Sequence, residues 1–97
     1  MRPKKFKEAG NTAVFTTKFV ITERKDITHV YHYEEDGAWQ FMSDDYFASY
    51  EEVAKIVGLE EILKLDNTLL ELADLPEGYY AHRKSKKEAW IIEELKN

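Results

Sequence analysis

Ile27-Thr28-His29-Val30-Tyr31-His32-Tyr33-Glu34-Glu35-Asp36-Gly37-Ala38-Trp39-Gln40-Phe41-Met42-Ser43 is the stretch that decides the fold. Residues 27–34 and 38–43 are rich in β-branched and aromatic types, which suit a pleated, half-buried surface. Asp36-Gly37 between them is a hairpin signal. Two registers are open. A two-residue loop at 36–37 sets Trp39 opposite Glu34 and Phe41 opposite His32. A three-residue loop at 35–37, with Gly37 left-handed in a bulge, sets Trp39 opposite Tyr33 and Phe41 opposite Tyr31. The second gathers Tyr31, Tyr33, Trp39 and Phe41 on one face that can be buried as a unit, and it is the preferred register.

Upstream, residues 13–22 read as a further strand with Phe15, Thr17, Phe19 and Ile21 on one face, and Glu23-Arg24-Lys25-Asp26 as a polar turn. Residues 1–10 are basic, poor in apolar side chains and end at Gly10-Asn11, as a flexible basic tail would. The single domain then covers 11–97.

Downstream the pattern turns helical. Ser49-x-x-Glu52 and Thr68-x-x-Glu71 fit capping boxes. Leu59, Ile62 and Leu63 share a helical face, as do Leu69, Leu72 and Ala73. Asp66-Asn67 divides the run and Pro76 ends it. Val53–Val57 fits either a helix ended by Gly58 or a short strand entering a helix that Gly58 caps. Residues 79–83 and 88–93 read as a closing hairpin. The expected fold is α+β: a mostly antiparallel sheet of about five strands, with two or three short helices inserted between strands 3 and 4 and packed on one face.

The chain has 97 residues, no cysteine and a net charge of −5. Disulfides and thiolate chemistry are excluded, and a cysteine-free chain without an apolar signal region is expected in the cytosol. The charge is unevenly spread. Residues 1–33 carry 7 basic and 3 acidic groups, residues 34–77 carry 2 and 13, and residues 78–97 carry 5 and 3. The acidic middle opposes nucleic acid and would steer a basic protein. No segment is apolar enough to span a membrane.

His29-x-x-His32 is the nearest approach to a metal motif, but on a strand residues three apart point to opposite faces, so no metal site is expected. Glu34-Glu35-Asp36-Gly37 lacks the alternating ligands of a calcium loop. No serine elbow, glycine-rich phosphate loop or cofactor motif is present. The aromatic residues are read as core, with some tyrosines left exposed as interface anchors.

Asn11–Lys18, Val30-Tyr31-His32, Asp36–Phe41, Ile56-Val57-Gly58-Leu59, Glu61–Asp66, Leu72–Pro76, Tyr79-Tyr80-Ala81 and Trp90 follow one another in an order that resembles an uncharacterised family of small bacterial proteins. That family overlaps the immunity-protein-like domains of toxin systems. The resemblance spans about 11–93, with Trp39-Gln40-Phe41 and the Leu-Asp to Leu-Pro ending as its most distinctive parts. It implies a strand at Val53–Val57 and brings no catalytic residue. Tyr46-Phe47-Ala48-Ser49-Tyr50 is more apolar than the family's shorter acidic loop.

The functional expectation is a non-enzymatic protein-binding domain, of the immunity-like kind, that occludes a toxin or other basic partner. Its surface would be Glu34, Glu35, Asp36, Asp44, Asp45, Tyr46 and Phe47. Two alternatives remain: a small-ligand sensor or enzyme with a pocket between sheet and helices, and a self-associating accessory domain.

Overall fold

The computed structural model describes residues 4–96. Its order is β1 (Ala13–Thr17), α1 (Lys18–Ile21), β2 (His29–His32), β3 (Trp39–Met42), α2 (Tyr50–Val53), β4 (Ala54–Gly58), α3 (Leu59–Leu65), a 3-10 helix (Asn67–Leu72), β5 (Tyr79–His82) and β6 (Ile91–Glu94). The α+β class stands. The sheet, however, is mixed and has six strands, in the order β4-β1-β3-β2-β5-β6.

The difference arises at Lys18-Phe19-Val20-Ile21. These strand-forming residues take a helical turn that buries Val20. Phe19 and Ile21 therefore do not continue the face of β1, and the chain leaves the sheet plane instead of turning back beside it. Arg24, at φ 59°, is a non-glycine residue in the left-handed region and lies in the return from α1. β3 then fills the place beside β1 and runs parallel to it. Thr16, buried between the two, donates its hydroxyl to the Phe41 carbonyl at 2.6 Å.

Val53–Val57 resolves largely as strand. β4 pairs antiparallel with β1, Val14 opposite Val57, and adds the sixth strand within what reads as a helical insertion. It leads directly into α3, where the Gly58 N–H donates to the Glu61 carboxylate at 2.9 Å. The helical run does divide at Asp66-Asn67, but the cap there is Asp66, not Thr68. Its carboxylate accepts from the Thr68 N–H at 3.0 Å, so Thr68 sits inside the turn it was expected to open. Ser49 is the residue before α2, and its side chain makes no capping bond.

The β2–β3 register is also corrected. His32 pairs with Trp39, Tyr31 with Gln40 and Val30 with Phe41. The Tyr33 N–H donates to the Ala38 carbonyl and the Gly37 N–H to the Tyr33 carbonyl, each at 2.9 Å, so the loop spans 34–37. Gly37 is left-handed as expected, at φ 72°. One residue of register moves every side chain of one strand to the other face relative to its partner. Trp39 and Phe41 thus join Val30 and His32 in the core, while Tyr31 and Tyr33 point the opposite way.

The core lies on one side of the sheet. Val14, Val30, Trp39, Phe41 and Ala81 meet Val20, Leu59, Ile62, Leu69, Leu72 and Leu75 there. Within the stretch read as a tail, Phe6 lies edge-on to Trp39 at 4.9 Å and Glu8 accepts the indole N–H at 2.8 Å. The Gly10 carbonyl accepts from Glu60 N–H at the start of α3, which ties this segment to the domain.

Two buried polar groups are structural. The Arg83 guanidinium donates to Asp66 at 2.6 Å, to the Ile27 carbonyl at 3.1 Å and to the Thr68 hydroxyl at 3.0 Å, and lies 3.9 Å from the centre of the Trp90 ring. His32 donates from Nδ1 to the Leu75 carbonyl at 2.7 Å and stacks on Trp39 at 3.9 Å. Both join the sheet to the segment beneath it.

Candidate functional site: the open face of the sheet

The core, with α3 and the 3-10 helix, occupies one side of the sheet, and the strand period of two sends alternate side chains to the other. Register places Ile56, Phe15, Gln40, Tyr31, Tyr80 and Glu93 in one row across all six strands. The next row holds Met42, His29, His82 and Ile91.

The rings in these rows touch. Tyr31 stacks with Tyr33 at 5.8 Å and with Tyr80 at 5.5 Å, Tyr80 with His82 at 5.5 Å, and His82 with His29 at 6.3 Å. The Tyr33 hydroxyl donates to the Gln40 side chain, and His82 pairs with the Glu93 carboxylate. These contacts hold the rings side by side as a broad platform.

The segment after β3 walls one side. Phe47 lies against Tyr50 at 6.0 Å, and the Tyr50 hydroxyl donates to the Thr16 carbonyl at 2.9 Å. Between this wall and Tyr31, Tyr33 and Gln40 is an open depression of about 560 Å³. A second, of about 680 Å³, continues over Tyr80, His82 and Glu93. Both are wide and shallow. On the opposite side of the molecule, the recess beside Ile27, Leu65 and Asp66 holds about 70 Å³, room for a few water molecules.

The seven residues expected to form one surface fall into two groups. Glu34, Glu35 and Asp36 lie exposed in the β2–β3 loop, where Asp36 accepts from the Ala38 N–H at 3.0 Å. Asp44, Asp45, Tyr46 and Phe47 follow the other end of β3, so the length of the strand separates the groups. Asp44, Asp45 and Phe47 line the first depression. Asp45 also faces Lys25 at 3.8 Å. Tyr46 is 89% exposed.

The sequence reading missed Tyr31, Tyr80, His29 and His82 as a group. The signal was the alternation in β2: Val30 is aliphatic, whereas Tyr31 and Tyr33 carry hydroxyls suited to a face open to water.

His29 and His32 point to opposite faces, as strand geometry requires. The neighbour of His29 is His82, across the ladder. Among the described residues, no group of three or more His, Cys, Asp or Glu side chains is arranged to hold a metal ion. Burial, and next the neighbouring Tyr80 phenol, push Tyr31 above the usual tyrosine range; burial, with Tyr31 the next cause, does the same for Tyr33.

Burial, and then the adjacent His82, hold His29 below its ordinary value of 6.5, against an opposing pull from Asp44. Below pH 6.5 the unfolded chain takes up a proton at this position that the folded chain resists. His29 therefore contributes fully above 6.5, and its contribution is lost as pH falls from there through the folded pKa. NMR titration is expected to place the His29 midpoint below 6.5, and His29→Gln should flatten that part of the stability–pH curve. A midpoint at or above 6.5 would contradict the packing described for this ring.

No family model, curated protein or solved structure matches the chain. Among the described residues no helix is long and apolar enough to cross a membrane.

Proposed function

We propose that this chain is a non-enzymatic protein-binding domain that docks a basic protein partner on the open face of its sheet. The observation that supports this is the platform of Tyr31, Tyr33, Tyr80, His29 and His82, which lies outside the core and is flanked by Asp44, Asp45 and Glu93. Tyrosine presents a large contact area with few rotatable bonds and is enriched where interfaces concentrate their energy. Carboxylates at the rim steer a basic partner before contact and add modestly to affinity afterwards. The shallow form of the depressions suits a protein surface better than a small molecule, which is usually enclosed on most sides.

Occlusion of a toxin by an immunity-like protein belongs to this class of function, since blocking requires surface complementarity and no chemistry. The same reading places the protein in the cytosol. Glu34, Glu35 and Asp36, at the far end of β3, then contribute to long-range steering and not to the contact itself.

Tyr31→Ala combined with Tyr80→Ala tests the proposal. The pair loses cross-strand stacking and should lower stability by about 1–2 kcal/mol, leaving a folded protein. Affinity for a basic partner isolated from the source cell should fall by at least about thirtyfold, as expected when two interface anchors are removed. Unchanged affinity in a folded variant would remove the open face as the docking surface.

A further inference from the structure

The chain has three histidines, His29, His32 and His82. His32 is buried on the core side, where it stacks on Trp39. The other two meet on the open face. His29 and His82 are direct partners in the β2–β5 ladder, and their ring centres lie 6.3 Å apart. Both rings border the depression that runs over Tyr80 and Glu93.

Their polar contacts differ. His29 Nδ1 lies 2.9 Å from the Thr28 hydroxyl, a neutral group. His82 Nε2 meets the Glu93 carboxylate, which also accepts from the Tyr80 hydroxyl at 3.4 Å. The phenols around the pair are Tyr31 and Tyr33 on β2, Tyr80 on β5 and Tyr50 on the wall. The charged groups are Asp44 and Asp45 after β3, and Glu93, Glu94 and Lys96 on the β6 side. Lys25, 3.8 Å from Asp45, offsets part of this acidity. Four carboxylates thus face two ammonium groups, and the neutral face favours cations.

Carboxyl, phenol and lysine ammonium groups ordinarily titrate outside the window from about pH 7.5 to about pH 5, and imidazole titrates inside it. Within that window the charge of the face is therefore set by His29 and His82. Charging both rings adds two positive charges and cancels the acidic excess.

We infer that the His29–His82 pair makes docking on this face sensitive to pH, so that mild acidification charges both rings and releases a basic partner held on the tyrosines. Release presupposes the docking proposed above. Burial, and then the neighbouring His82, delay the charging of His29 to below 6.5, against the pull of Asp44. The face therefore keeps its preference for cations near neutrality and loses it below that value. A docked cation opposes protonation of the rings, and by reciprocity protonation opposes docking.

The potential of the face can be measured on the free protein. Two nitroxides of equal size, one cationic and one anionic, are added in turn as paramagnetic cosolutes. NMR records the relaxation each causes at the Tyr31 and Tyr80 ring protons, and the cation-to-anion ratio reports the local potential. Between about pH 7.5 and about pH 5 the ratio should fall at least about threefold in the parent. In the double variant His29→Gln, His82→Gln it should fall less than about 1.5-fold. His82→Gln alone should move the His29 midpoint upward, because a ring that opposes its proton is gone. Circular dichroism at both pH values reports folding. A ratio that stays flat in the parent, an equal fall in the double variant, or a His29 midpoint unmoved by His82→Gln would each overturn the inference. A flat ratio together with the affinity loss expected of Tyr31→Ala and Tyr80→Ala would remove the pH response and leave docking in place. A falling ratio without that loss would remove docking, and release with it.

Discussion

Trp39→Ala should lower the stability of this protein by about 3–5 kcal/mol, the range for deleting a buried aromatic side chain. Trp39 is 2% exposed and packs against its neighbours in the sheet and against the N-terminal segment. His32 stacks on it at 3.9 Å, Phe6 meets it edge-on at 4.9 Å, and Phe41 lies beside it at 6.0 Å. Its indole N–H donates to Glu8 at 2.8 Å, so the same substitution also removes the contacts that Phe6 and Glu8 make with the sheet. Small domains hold only about 5–15 kcal/mol in total. The loss should appear in urea as a large fall in midpoint. An unchanged midpoint would mean that Trp39 is not at the centre of the core.

Asp66→Asn should cost about 3–5 kcal/mol as well, for a different reason. The side chains of Asp66 and Arg83 are 5% and 1% exposed and meet at 2.6 Å. Removing the negative charge leaves a guanidinium in the interior without its counter-charge, while asparagine still offers an oxygen to cap the 3-10 helix. The penalty therefore reports the buried pair more than the cap. Arg83→Met strands the carboxylate in the same way. Combined, the two changes should cost less than the sum of the singles, since the double variant has no isolated charge to bury. A thermodynamic cycle by denaturant unfolding gives the coupling directly. Additive losses would show that the two groups do not act as a pair.

The class of fold was legible because it rests on composition and period. Val30, Trp39 and Phe41 read as strand residues, Leu59 and Ile62 as a helical face, and Asp66-Asn67 as a break, and all of these recur in the structure. The sheet order was not legible, because one short segment controls it. Lys18-Phe19-Val20-Ile21 has strand propensity, and the gain from burying Val20 beside Leu59 and Ile62 overrides it. Once those residues turn helical, β1 is free to pair with β3.

The hairpin register failed by a single residue. Asp36-Gly37 identifies the left-handed position but not how many residues precede it in the loop, and Tyr33 pairs with Ala38 instead of Trp39. That residue matters for the site. In the expected register the tyrosines share the tryptophan's face and enter the core. In the observed one they form the platform on the other side, and an acidic surface expected to be continuous from Glu34 to Phe47 divides into a loop tip and a rim.

Photo-crosslinking in the source cell tests the central proposal most directly. A benzophenone side chain is introduced at Tyr80 in one variant and, for comparison, at Glu60, exposed on α3 across the molecule. If the open face docks a basic partner, Tyr80 should yield a discrete crosslinked species of basic composition, and Glu60 should not. A species formed from Glu60 and absent from Tyr80 would contradict the account and move the binding surface to the helical side.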